Sequence, residues 1–151
     1  MKKLAFNPSA SLVKSILSYQ KFASGKSNFG FILIKLASFN YRFWSILTAS
    51  DISKFAGLSP DLKLPHPNGV VVHQDVTIGH GCMIMQQVTI GQLSEGKVPV
   101  IGNDVYIGAG AKILGGIIIN DNAVIGANAV VLIDVPAGKT AVGVPAKILA
   151  K

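Results

Sequence analysis

A parallel β-helix built from six-residue units, preceded by a short helical region, is the fold this sequence predicts, and three observations predict it. From Val70 to Thr140 a large aliphatic residue recurs at every sixth position, at Val72, Ile78, Ile84 and Ile90 and again at Ile101, Ile107, Ile113, Ile119, Ile125 and Val131. A second column of small or β-branched residues accompanies it, at Val70, Val76, Cys82, Val88, Val105, Ala111, Ile117, Ala123, Ala129 and Val135. The place after the large aliphatic favours Gly or Asn, at Gly79, Gly91, Gly102, Gly108, Asn120 and Gly126, residue types that turn a backbone at little steric cost. A period of six marks a solenoid in which three short strands and three corners make one triangular coil. The aliphatics stack from coil to coil as the core, each contributing roughly 1.5–3 kcal/mol when fully buried.

With 151 residues, half of them apolar, the chain is long enough for one domain with its own core and too apolar to be disordered. The expected divisions are a helical arm over 1–50, the β-helix over 51–140 and a tail over 141–151. Cys82 is the one cysteine, which excludes an intrachain disulfide, and Met1-Lys2-Lys3-Leu4-Ala5-Phe6 lacks the long apolar run of a secretory signal, so the expected compartment is the cytoplasm. The formal charge of +7 belongs wholly to residues 1–60, where eight Lys and Arg face Asp51 alone. A solvated basic helix face is the ordinary meaning of such a bias. It also offers peripheral contact with an anionic membrane or an acidic carrier, while no nucleic-acid motif or aromatic-interleaved basic stripe supports nucleic acid.

Asn7-Pro8 reads as a helix start, with Asn at the cap and Pro at the first helical position. Leu12, Ile16, Leu17 and Phe22 follow near helical spacing, and Gly25 ends the segment. Ser27-Asn28 is the expected cap of a second helix, apolar on most sides around Phe31, Leu33, Ile34, Leu36, Trp44 and Leu47. Lys35 and Arg42 interrupt it, so it is not expected to span a membrane. A helix this apolar needs a partner: its own β-helix, a neighbouring subunit or, less simply, a membrane surface.

The six-residue clock starts at Ile52, Leu58 and Leu64 and then slips. Val72 follows Leu64 by eight positions, which implies two inserted residues in Pro65-His66-Pro67-Asn68-Gly69, a bulged turn that lifts His66 out of the coil wall. Ile101 follows Ile90 by eleven, so Leu93 to Val98 must leave the coil as a loop. In a regular solenoid the coil itself is occupied with packing, and insertions are where binding surfaces are built.

Four stretches, His66-Pro67-Asn68-Gly69-Val70-Val71-Val72, Gln87-Val88-Thr89-Ile90-Gly91, Ile107-Gly108-Ala109-Gly110-Ala111-Lys112-Ile113-Leu114-Gly115 and Val142-Gly143-Val144-Pro145-Ala146-Lys147, resemble the core of serine acetyltransferases and their short polysaccharide-modifying relatives. The likeness covers about Asp51 to Lys147. It implies a left-handed coil, a homotrimer, and acetyl-coenzyme A held in a groove between coils as donor to a hydroxyl. That handedness comes from the resemblance alone, since the ordinary preference of parallel crossovers is right-handed.

Such a transfer needs a base able to take a hydroxyl proton near pH 7, a task suited to histidine and typically worth ~10²–10⁴ in rate. His66 falls on the family's catalytic histidine, and Asp51 on the carboxylate that orients it. A His held by a carboxylate keeps one tautomer and gains a stabilised imidazolium. Similarity places cofactor contacts at Gly91, Gly108, Ala109 and Ala127, with Lys147, and less directly Lys112 or Lys139, toward the phosphates. Acceptor contacts are expected from Asn68, Gln92 and Val98. His66, His73 and His80 are spaced by seven, out of step with the clock, so they should rotate around the coil without forming one metal site, and His73 and His80 should be exposed. This weakens an alternative in another class, the zinc-holding γ-type carbonic anhydrases, while a purely structural hexapeptide protein stands as a further alternative. Cys82 fills a small inward slot and reads as a packing residue, which implies direct transfer.

Two departures bear on the acceptor. Pro65 stands where serine acetyltransferases carry Asp before the catalytic His, and Val98 stands where their loop carries a second His. Both missing groups point toward a sugar or surface-polysaccharide hydroxyl, with free serine as the alternative.

Overall fold

The computed structural model describes residues 7–25, 30–93 and 96–149. Two helices, α1 (Pro8–Ser24) and α2 (Gly30–Thr48), lead into fourteen short strands. These are β1 (Asp51–Ile52), β2 (Gly57–Leu58), β3 (Val71–Val72), β4 (Thr77–Ile78), β5 (Met83–Ile84), β6 (Thr89–Gly91) and β7 (Val100–Ile101), then β8 (Tyr106–Ile107), β9 (Lys112–Leu114), β10 (Ile118–Ile119), β11 (Val124–Ile125), β12 (Val130–Val131), β13 (Thr140–Gly143) and β14 (Ala146–Ile148). Up to β13 consecutive strands fall in different sheets, so three sheets form the sides of a prism, in the orders β1-β3-β6-β9-β12, β2-β4-β7-β10 and β5-β8-β11-β13-β14. Call these sides A, B and C. All pairings are parallel except β13 with β14, where the chain turns back on itself.

The two columns expected inside are inside. Ile84, Ile90, Ile107, Ile113, Ile119, Ile125 and Val131 are fully buried, as are Val70, Val76, Cys82, Val88, Ala111, Ala123, Ala129 and Val135. The register also shows both slips. Asp51 pairs with Val71, twenty residues on, and Thr77 with Val100, twenty-three on, whereas Val71 with Thr89 and Tyr106 with Val124 keep the regular eighteen.

One detail of the turns differs from the expectation. Gly79 and Gly108, just after the large aliphatic, do not take a left-handed backbone; that conformation falls two places later, at Gly81, Gln87, Asp104, Gly110, Asn122 and Asn128. Gly108 is required by approach between coils: a Cβ there would lie 2.6 Å from the Ala127 backbone nitrogen and 2.9 Å from the Ile125 carbonyl. The sharp turn is made by Asn, Asp, Gly and, at position 87, Gln, the first three being the side chains that tolerate a positive φ.

A solenoid leaves an unpaired rim at its first coil, and the two helices close it. Asn7 caps α1 by accepting from Ala10 N at 3.0 Å, and Pro8 occupies the first turn. Leu12, Val13 and Ile16 join the same hydrophobic core as Ile52, Ala56 and Leu64. The amide of Gln20 donates to the carbonyls of Lys54 (3.0 Å) and Ala56 (2.8 Å), and the Tyr41 hydroxyl donates to the Ile52 carbonyl (3.0 Å). Buried or edge carbonyls with no earlier coil to bond are thereby satisfied. The expected cap at Ser27-Asn28 lies outside the described residues. In α2 only Gly30, Ala37 and Thr48 are buried, Leu33, Ile34 and Trp44 are half-buried, and Phe31, Leu36 and Leu47 face solvent. Its own β-helix therefore supplies only part of the partner this helix needs.

Candidate functional site

Tracing the coil assigns each irregular segment to one edge of the prism. Pro65 to Gly69 lies between sides C and A, and so do the corners at Gln87, at Gly108-Ala109 and at Gly126-Ala127. His73, the loop after Gly91 and the pair Gly115-Gly116 lie between sides A and B. Ser59 to Asp61, His80, Asn103 and Asp121 lie between B and C. The three histidines thus occupy three different edges, as a spacing of seven against a period of six requires.

On the edge between C and A, His66 is exposed and lines a cavity of about 340 Å³ with Pro8, Leu47, Thr48 and Asn68. The ends of both helices therefore form one wall beside the imidazole. Asn68 is fixed by the next coil: its Oδ1 accepts from Gln87 Nε2 at 3.1 Å, and its carbonyl accepts from Gln87 N at 2.9 Å. Gln87 holds a positive φ of 61°, and Lys112 Nζ donates to its carbonyl at 2.6 Å, which ties this lysine to the edge. Two rungs above His66 sit Gly108 and Ala109, three rungs above sits Ala127, and Asn128 N donates to the Ala109 carbonyl at 2.8 Å. At about 4.8 Å per rung, these small corners lie roughly 10 and 15 Å along the edge from the imidazole. Between them and His66 stands the Gln87 corner, whose side chain is exposed; of the small corners, Gly108 is buried, Ala109 half-buried and Ala127 exposed. Lys147 is exposed on β14.

On the edge between A and B, Gly91 is buried and Gln92 is exposed, and Val98 is half-buried against the hydrophobic core. The ends of the inserted loop rest over Gly115-Gly116, where a Cβ on Gly116 would meet Lys97 Cβ at 2.7 Å and one on Gly115 would meet Leu93 Cβ at 3.5 Å. A pair of glycines one coil above an insertion is the sequence signal that could have located this seat.

Asp51 is exposed on side A and lines two cavities, one with Ser53, His73 and Gly91 and one with Tyr41, Arg42 and Ser45. His66 lines neither. His73, expected to be exposed, is half-buried instead, because its ring folds over its own corner with Nδ1 3.3 Å from Asp75 N and 3.6 Å from Asp75 Oδ2. Within one chain the residues singled out therefore fall into two groups, His66 with Asn68, Gly108, Ala109 and Ala127 on one edge and Gly91, Gln92 and Val98 on the next, with Asp51 on the face between them.

The edge between B and C carries a Ser, His and Asp cluster the sequence reading did not register. It is not a nucleophilic arrangement. The Ser59 hydroxyl donates to Asp61 and is therefore left to accept from His80 Nδ1 at 2.8 Å, so the imidazole is not placed to take its proton. The Ser59 hydrogen bond, foremost, holds the Asp61 carboxyl below its ordinary range, and Asp61 Oδ2 accepts from Gly81 N at 3.0 Å. Asn103 and Asp121 bond in the opposite sense, each accepting from the coil before it, from His80 N (2.9 Å) and Asn103 N (2.6 Å), and together these contacts staple the edge.

Cys82 is fully buried, its thiol donates to the Gly102 carbonyl at 3.1 Å, and burial pushes its pKa up. A thiol kept neutral is a poor nucleophile. The folded protein should accordingly resist iodoacetamide at neutral pH and be alkylated only on unfolding; rapid labelling of native Cys82 would contradict this.

The model of the bacterial transferase hexapeptide (six repeats) matches residues 99–132. Among curated proteins, the serine acetyltransferase of Helicobacter pylori (strain J99) is 43% identical over 108 residues, which is 70% of this chain and 63% of that one. A solved serine acetyltransferase in complex with cysteine superposes with a TM-score of 0.81 at 32% identity, covering 98% of this chain and 56% of that one. Another, in complex with CoA, gives 0.73 at 36% identity, covering 89% and 55%. The chain spans about half the length of the curated relatives it matches, from 44% to 63% in the first two.

Proposed function

We propose that this chain, which belongs with the hexapeptide-repeat acetyltransferases of the serine acetyltransferase-like kind, moves an acetyl group from acetyl-coenzyme A to the hydroxyl of a small acceptor. The observation that carries this reading is the shared edge: an exposed imidazole at one end and, beyond the Gln87 corner, the small corners at Gly108-Ala109 and Gly126-Ala127 on successive rungs, which suit a thin pantetheine arm. His66 acts as base, taking the acceptor proton as that oxygen bonds to the thioester carbon. The carbon–sulfur bond then breaks, and the imidazolium returns the proton to the departing thiolate. Asp51 holds the imidazolium, Gly91, Gly108, Ala109, Ala127 and Lys147 hold the donor, and Asn68, Gln92 and Val98 face the acceptor.

The division of these residues between two edges supports a homotrimer with side A toward the common axis, an arrangement that would set one chain's edge between A and B against a neighbour's edge between C and A. Serine is the first acceptor to test. The likeness to serine acetyltransferases favours it over the sugar that Pro65 and Val98 suggested. The sugar remains a second reading because those two positions carry no polar side chain. Incubation with acetyl-coenzyme A and serine, monosaccharides, nucleotide sugars or glycans, followed by thiol release, separates the two. Release with serine supports the first reading, release only with a glycan or sugar supports the second, and no acceptor-dependent release with any of them overturns the proposal.

A further inference from the structure

The least explained surface of the molecule is the outer face of α2. At about 100° per residue, Phe31, Ile32, Leu36, Phe39, Phe43 and Ile46 share one arc of about 140°, while the buried Gly30, Ala37 and Thr48 fall opposite. Phe39 and Ile46 are 75% and 73% exposed. The helix thus presents its more apolar side outward, and a contiguous patch of that kind on a folded chain marks a contact surface. Lys35 and Arg42 stand along the Phe31 side of the same arc, and Lys35 Nζ lies 4.3 Å from the Phe31 ring centre. Neither described helix holds an acidic residue, and the first sixty residues hold one, Asp51.

We propose that this face lies on an anionic phospholipid surface, with the aromatic and aliphatic side chains seated among the acyl boundaries and Lys35 and Arg42 against the headgroups. Charge selects this occupant over a two-fold contact of the face with itself. A two-fold contact through the same face would bring two cationic helices of equal sign together with no acid on either to offset them, whereas an anionic headgroup layer complements them. No helix among the described residues is long and apolar enough to cross a membrane, so α2 would lie on the surface. The inference is tested apart from the acetyl-transfer reading: it uses none of the residues assigned to donor or acceptor, although Arg42 and Ile46 share a cavity with Asp51.

The test is flotation of the full chain with phosphatidylcholine vesicles, with and without phosphatidylglycerol, at about 0.1 M and about 1 M salt, across which the Debye length falls from about 10 Å to about 3 Å. The expected result is at least tenfold stronger binding to the anionic vesicles, weakened by salt. Phe39→Asp with Ile46→Asp should abolish binding to both. Lys35→Glu with Arg42→Glu, which leaves the apolar arc intact, should abolish only the anionic preference. Light scattering and circular dichroism on each variant report assembly and folding. Absence of wild-type binding at low salt overturns the proposal, as does unchanged binding by the Asp variant. A fall in solution mass in the Asp variant with no vesicle binding by the wild type assigns the face to a second copy.

Discussion

His66→Ala is expected to lower acetyl transfer by ~10²–10⁴-fold while leaving acetyl-coenzyme A affinity nearly unchanged. The two effects separate because of where the groups stand. The imidazole lies on the bulged corner before β3, beside the helix ends and Asn68, while the small corners proposed to hold the donor lie two and three rungs away. Nothing in the coil depends on His66: its side chain is exposed, and the corner is fixed by other groups, the Gly69 N bond to the Ala49 carbonyl (2.7 Å) and the Asn68 bonds to Gln87. Removing the imidazole is therefore expected to abolish the proposed proton transfer without loosening the fold. Thiol-release kinetics set against calorimetric donor binding make the measurement. Full activity in the variant would rule the mechanism out, and loss of donor binding equal to the loss of rate would make His66 a binding group instead.

The sequence made the inward columns and both register slips legible because they follow from a single constraint. A side chain that faces the axis must be apolar, and a residue added to a coil moves every later side chain out of phase. Cα pairings of twenty, eighteen and twenty-three residues restate what Leu64 to Val72 and Ile90 to Ile101 already required. Other features depend on neighbours that period alone does not supply. The position of the left-handed turn is set by backbone packing between coils, so Gly108 was credited with a turn although its role is to let the Ala127 backbone approach. Closure of the first coil by Gln20 and Tyr41 rests on contacts across thirty-four and eleven residues, between polar side chains that no apolar period marks. The solvent-facing side of α2 was hidden for a related reason: a helix apolar all round does not say which side its own domain will take.

The same phase argument yields a pair of adjacent substitutions in β4 with opposite outcomes. Ile78 faces the axis and is 4% exposed, whereas its neighbour Thr77 points outward. Ile78→Ala should cost ~2–5 kcal/mol, the transfer energy of the lost methyl and methylene groups plus the cavity they leave. Thr77→Ala should stay within about 0.5 kcal/mol, as surface changes away from caps and networks do. The cost at Ile78 has nowhere else to be absorbed. β4 sits between β2 and β7 in its sheet, so the coil above and the coil below both rest on that side chain's layer, and a solenoid transmits stability only through such nearest neighbours. Urea unfolding of both variants, read as midpoint and slope, is the check. Equal losses would mean that the strand does not hold one face to the core, and the prism itself would have to be reconsidered; a small loss at Ile78 with a large one at Thr77 would place the register one residue out of phase.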